Sequence, residues 1–272
     1  MSRSAGVDVL FLIFAGVPAL LFLCQPVFPG AGIYQGAASQ MVFTYLASLT
    51  KLSFLALASR FAFLSAGRFE RDNPIRPAWF LMAGGMLCTF LGQASLAPYQ
   101  LYLGTPSPFP SVADLFFVLS YVFLVPGLIA SMVAYRKAGL PIGTAAERWG
   151  VGLGVGLVCT AVGFAILRPI ALQPAPPLEK ALNLGYPILD FVLLIPTSLL
   201  LRIGLRFRGG QAGRVWLTLL AGFLVMCVGD VAFAYFSAFS QEQLFPIVHA
   251  MFILAYALLA RGVVSQHGLL AD

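Results

Sequence analysis

Eight apolar runs, each about 20 residues or longer and separated by short breaks rich in Pro, Gly and charge, fill the chain at 6–28, 40–66, 77–98, 111–134, 149–171, 180–201, 215–237 and 244–263. A run of that length crosses the hydrocarbon layer of a bilayer as a helix, and a helix satisfies its own backbone polar groups where no water is present to do so. The expected fold is therefore an all-α polytopic integral membrane protein of eight transmembrane helices, with residues 1–272 forming one membrane domain. Composition agrees: 60% of residues are hydrophobic and 10% charged, against about 25% charged in a soluble domain. An ordinary water-soluble enzyme is excluded. The net charge of +6 reads as membrane anchoring rather than nucleic-acid binding. Cys24, Cys88, Cys159 and Cys227 sit inside apolar runs without Cys-x-x-Cys spacing, so no disulfide framework, metal site or cofactor is expected.

Basic residues orient the runs. Twelve of the 16 Lys and Arg fall on one side of the predicted layer, from Arg3, Arg68, Arg71 and Arg76 through Arg136, Lys137, Arg148, Arg202, Arg206, Arg208 and Arg214 to Arg261, and only Arg168 and Lys180 fall on the other. Short cytoplasmic loops retain positive charge. Both termini are thus expected in the cytoplasm. Val9–Cys24 resembles the apolar core of a signal peptide, but the Pro-Gly-Ala-Gly-Ile-Tyr stretch after it is a poor cleavage site, and it is read as the first helix.

The later helices read as three pairs (77–134, 149–201 and 215–263), preceded by a pair at 6–66 that does not show the pattern. The first helix of each later pair carries glycines seven apart: Gly85 and Gly92, Gly156 and Gly163, Gly222 and Gly229. Seven residues is about two turns, so the two share a face, and small residues on one face let helices associate in lipid. Each second helix carries a titratable residue seven before a tyrosine: Asp114 and Tyr121, Glu179 and Tyr186, His249 and Tyr256. This pattern is read as an internal repeat packed through its glycines.

The repeat sets Gln93, Asp114, Glu179, Asp230 and His249 toward the outer leaflet as one polar cluster, with the tyrosines two turns deeper. Ser111 and Asp114 also fit a capping box. Glu179 reads as a solvated helix-start charge, and His249 equally as an interfacial residue. Asp190 and Asp230 lie within apolar spans, where ionisable groups are costly and face a partner or a water pocket. Lys51 and Asp190 come at similar depth, and a buried Lys51–Asp190 ion pair is expected. The expected ligand-binding residues are Gln93, Tyr121, Tyr186, Asp230, His249 and Tyr256.

Pro110-Ser-Val-Ala-Asp-Leu-Phe-Phe-Val-Leu-Ser-Tyr121, Leu184-Gly-Tyr-Pro-Ile-Leu189 and Gly229-Asp-Val-Ala-Phe-Ala-Tyr235 resemble the multi-helix membrane region at the N-terminus of some bacterial diguanylate cyclases and related sensor proteins. The resemblance covers the last six helices. It implies a bacterial inner-membrane signal-input module for a fused output domain or a cytoplasmic partner, and a small or lipid-like ligand or a proton is expected to bind the outer-leaflet pocket near Asp230, His249 and the repeat tyrosines. The chain carries no Gly-Gly-Asp-Glu-Phe or Glu-Ala-Leu signature, so no cyclic-dinucleotide chemistry is expected of it. Gly229-Asp230 with His249-Ala-Met-Phe-Ile-Leu-Ala-Tyr256 also resembles lysoplasmalogenase-like membrane hydrolases, which implies an alternative in which Asp230 and His249 activate water as general bases. An intramembrane aspartyl protease fits less well, since the glycine two before Gly229-Asp230 is missing and Tyr186 is not adjacent to Asp190. A transporter is disfavoured because the pairs share one orientation rather than forming an inverted repeat.

Overall fold

The computed structural model describes residues 3–103, 108–140, 143–206 and 211–270, and among these there are helices and no strands. The helices are α1 (Arg3–Cys24), α2 (Ala37–Arg68), α3 (Ile75–Ala97), α4 (Val112–Lys137), α5 (Ala145–Val162), α6 (Arg168–Leu172), α7 (Pro177–Arg206), α8 (Gln211–Ala238) and α9 (Phe245–Leu269). A π turn, Gly163–Leu167, joins α5 to the short α6, and another, Pro98–Leu103, extends α3. Counted this way, eight helical segments are long and apolar enough to cross a membrane, as expected. Most outrun the apolar stretch by a few residues, α7 reaching Arg206 where 201 was expected. The exception is α1, which stops at Cys24 rather than 28. Gln25 precedes Pro26, and a residue before proline is pushed out of the helical region.

Two helix starts are written locally. Ser111 Oγ accepts from the Ala113 amide, and Asp114 Oδ2 accepts from the Ser111 amide at 2.6 Å, the expected capping box. Thr144 and Glu147 repeat it at α5. The basic residues gather at one end of the bundle. There Arg68 Nη1 donates to the His267 carbonyl at 2.9 Å, Arg202 meets Glu147 at 2.6 Å, and Arg261 pairs with Asp8. Arg208 lies outside the described residues.

Helix adjacency forms a closed ring in which α2 packs on α3, α3 on α4, α4 on α7, α7 on α8, α8 on α9 and α9 back on α2. Trp79 and Trp216, both fully buried, meet across it at 6.4 Å between ring centroids, and Trp216 Nε1 donates to the Tyr135 hydroxyl. The first helix lies outside the ring against α9, and α5 lies outside it against α7. These two outer helices expose large apolar side chains, Leu12 at 72% and Leu157 at 70% among them. A surface of that kind suits lipid rather than water.

Glycine contacts explain the tightest pairs. A Cβ on Gly85 would stand 2.4 Å from the Leu124 side chain, and one on Gly92 2.5 Å from Phe117. On α8, a Cβ on Gly222 would stand 2.8 Å from Leu259, and one on Gly229 3.3 Å from Met251 and Phe252. The second helices reciprocate: Gly127 faces Met82, and Gly262 faces Leu219. The expectation fails for the middle pair, because a Cβ on Gly156 or Gly163 would meet nothing within 4 Å. With α7 seated in the ring between α4 and α8, the glycine face of α5 is left against no helix.

Overpacking a tight helix contact costs roughly 1–3 kcal/mol. Gly222→Val should therefore lower the thermal midpoint of the purified protein clearly, while Gly156→Val leaves it unchanged, as measured by scanning fluorimetry in detergent.

Candidate functional site

Polar side chains from four ring helices meet inside the bundle. On α4, Tyr121 donates its hydroxyl to Asp190 Oδ1 of α7 at 2.7 Å. From α7, Tyr186 donates to Asp114 Oδ1 of α4, also at 2.7 Å. The two helices thus exchange tyrosine–aspartate hydrogen bonds in both directions, and all four residues are buried. Each bond has an ionisable acceptor, the stronger class of hydrogen bond. Asp114 serves twice, as cap of α4 through Oδ2 and as acceptor for Tyr186 through Oδ1.

Asp230 of α8 completes the centre. Its carboxyl group is a near neighbour of that of Asp190, and Tyr256 of α9 neighbours both acids. Asp190 is 1% exposed, and its Oδ2 has no donor partner. Two carboxyl groups are both acceptors when ionised, so a bond between them needs a proton on one. Cys227, one turn before Asp230, is the remaining titratable neighbour on α8 and is in turn close to Cys159 of α5. No lysine, arginine or histidine among the described residues forms an ion pair with either carboxyl group. Among the described residues no group of three or more His, Cys, Asp or Glu is arranged to hold a metal ion.

The expected cluster divides. Tyr121, Tyr186, Tyr256 and Asp230 come together, joined by Asp114 and Asp190. His249 does not join them: Lys51 Nζ lies 3.5 Å from its Nδ1, and the Phe22 ring leans on it at 5.5 Å. No hydrogen bond or ion pair links His249 to Asp230. The expected Lys51–Asp190 ion pair is likewise not formed, since α2 packs on α3 and α9 whereas α7 packs on α4, α5 and α8. Similar depth along the bundle did not make them neighbours. Lys51 is 3% exposed with the imidazole as its polar neighbour. Gln93 is buried with no partner for its Nε2, and Glu179 stays in the first turn of α7, away from the centre. Asp190 and Asp230 were singled out separately as ions in apolar spans. Their contact had no sequence signal, because it depends on which helices are neighbours.

Two surface clefts, of about 500 and 420 Å³, lie elsewhere, and neither is lined by Asp190, Asp230 or a tyrosine of the centre. Asp190 and the tyrosines of the centre are buried, and Asp230 is partly exposed. Comparison with known protein families, curated proteins and solved structures finds no match for the chain.

Removing the Tyr121 hydroxyl leaves Asp190 with a buried unsatisfied oxygen, a loss of about 1–3 kcal/mol. Tyr121→Phe should lower the thermal midpoint, whereas Tyr102→Phe, at a side chain 89% exposed, should not. Exchanging Lys51 and Asp190 should give no recovery over the single variants Lys51→Asp and Asp190→Lys, as judged by the yield of monodisperse protein.

Proposed function

We propose that the chain is an integral membrane signal-input module of the bacterial inner membrane, its arginine-rich end and both termini in the cytoplasm, and that its sensing site is the acid–tyrosine centre of α4, α7, α8 and α9. The observation that carries this reading is the reciprocal pair of tyrosine–aspartate bonds between α4 and α7, with Asp230 of α8 as a near neighbour of Asp190. Buried acids inside a membrane span mark functional sites by default. A ligand moves a protein between two arrangements only if it binds them unequally, and here a proton does. With a proton between them, Asp190 and Asp230 hold α7 to α8 by a hydrogen bond. Without it, two like charges face each other in a low-dielectric interior with no cation near. The titratable groups of the centre come from four helices: Tyr121 and Asp114 from α4, Asp190 and Tyr186 from α7, Asp230 and Cys227 from α8, and Tyr256 from α9. A change at the pair therefore acts on the α4–α7 and α7–α8 contacts together. The chain's resemblance to the membrane regions of diguanylate cyclases gives the direction of output, toward a fused or separate cytoplasmic partner.

The carboxyl pair also favours one second reading, a lipid hydrolase of the lysoplasmalogenase-like kind. Its acid and base are then Asp190 and Asp230, which share a contact, and not Asp230 with His249, which do not.

Hydrogen exchange of the protein in lipid nanodiscs between pH 5 and pH 8 separates the readings. The sensing account expects exchange in α4, α7 and α8 to change with pH in the wild type and to become pH-independent in Asp190→Asn/Asp230→Asn. Unchanged exchange in the wild type contradicts it. Headgroup release from lysolipids that is lost in the same variant would establish the hydrolase instead.

A further inference from the structure

A surface cleft of about 500 Å³ between α3 and α4 is unrelated to the acid–tyrosine centre, and its lining has a direction. Pro126, Ile129, Ala130, Val133, Ala134 and Lys137 of α4 form one wall, and Pro74, just before α3, and Leu81 of α3 contribute to the other. The α4 residues recur at three- and four-residue intervals, so they are one stripe of that helix. From Pro126 to Lys137 the stripe runs about 16 Å. It exists because small residues were placed on it: Ala130 and Ala134 leave the space that longer side chains would fill, while Gly127 beside the stripe draws α4 onto Ala78 and Met82 of α3. The walls are apolar, and Ile129 and Val133 are about half exposed, at 50% and 47%. The cleft opens sideways from the bundle. Its single charged lining residue, Lys137, stands in the last turn of α4 at the arginine-rich end.

We infer that this cleft is a binding site for an anionic phospholipid of the leaflet at the arginine-rich end, one acyl chain lying along the α4 stripe and the phosphate meeting Lys137. An apolar groove ending in a cation complements an apolar chain ending in an anion, and basic pockets between membrane helices recognise acidic headgroups in this way. A soluble apolar molecule leaves Lys137 without a counter-charge. A zwitterionic lipid fills the same groove and offsets its own phosphate with its own ammonium. Nearby charges of the α2–α3 loop, Glu70, Arg71 and Asp72, are exposed and do not line the cleft, so headgroup preference rests on Lys137. The site shares α4 with Tyr121 and Asp114 but does not depend on the sensing proposal.

The test is native mass spectrometry of delipidated protein given equal amounts of phosphatidylglycerol and phosphatidylcholine. The wild type should retain phosphatidylglycerol about fivefold more than phosphatidylcholine, the effect of one lysine facing an acidic headgroup. Lys137→Gln should bring the two lipids to near parity, Ala130→Phe should reduce retention of both, and Arg71→Gln, at the same end but outside the cleft, should keep the preference. Equal retention of both lipids by the wild type overturns the inference. So does an unchanged preference in Lys137→Gln, or a loss in Arg71→Gln equal to that in Lys137→Gln. Size-exclusion profiles matching the wild type confirm that each variant is folded.

Discussion

The reciprocal hydrogen bonds between Tyr121 and Asp190 and between Tyr186 and Asp114 are the interaction on which the arrangement of this bundle turns. Apolar helices in an apolar surrounding have no hydrophobic reason to choose one neighbour over another. Polar groups supply the choice, because an unsatisfied carboxyl or hydroxyl inside the bundle is more costly than the entropy of fixing its partner. Two such bonds in opposite directions fix both the pairing and the axial register of α4 and α7. Asp230 then joins α8 to them, and the ring closes through α9 and α2.

Glycines govern closeness within the ring rather than membership of it. Gly85, Gly92 and Gly127 bring α3 and α4 together as Gly222, Gly229 and Gly262 bring α8 and α9 together. At the equally spaced Gly156 of α5 and Gly163 just after it, an added Cβ would meet nothing within 4 Å, which shows that the spacing permits close packing without compelling it. The difference lies in α7, whose polar contacts face α4 and α8 and take it away from the glycine face of α5. In the sensing account this asymmetry matters, because α7, which carries Asp190, meets α4 through hydrogen bonds that a proton can alter, while its close glycine contact with α8 lies at Gly204 and Gly213, away from the carboxyl groups.

The eight helical segments were legible in the sequence because a membrane crossing needs about 20 apolar residues and little else. The Ser111–Asp114 cap was legible because capping chemistry is local, and the tyrosine spacing pointed to three of the residues that converge. What stayed hidden was azimuth. Counting residues gives depth along a helix but not the direction a side chain faces, nor which helix stands opposite. Lys51 and Asp190 matched in depth and were read as partners, yet α2 faces α9, so the lysine meets His249 instead. For the same reason Asp230 was grouped with His249, which follows it closely in sequence, rather than with Asp190 on the preceding long helix. The π turns at Pro98–Leu103 and Gly163–Leu167 had no local signal that distinguishes them from ordinary helix.

Oxidative cross-linking in native membranes reaches the central claim most directly. In a variant with Cys24, Cys88, Cys159 and Cys227 replaced by serine, cysteines at positions 190 and 230 should form an intramolecular disulfide readily, and cysteines at positions 51 and 190 should not. Cross-linking of 51 with 190, and none of 190 with 230, would contradict the helix ring and the carboxyl pair at its centre.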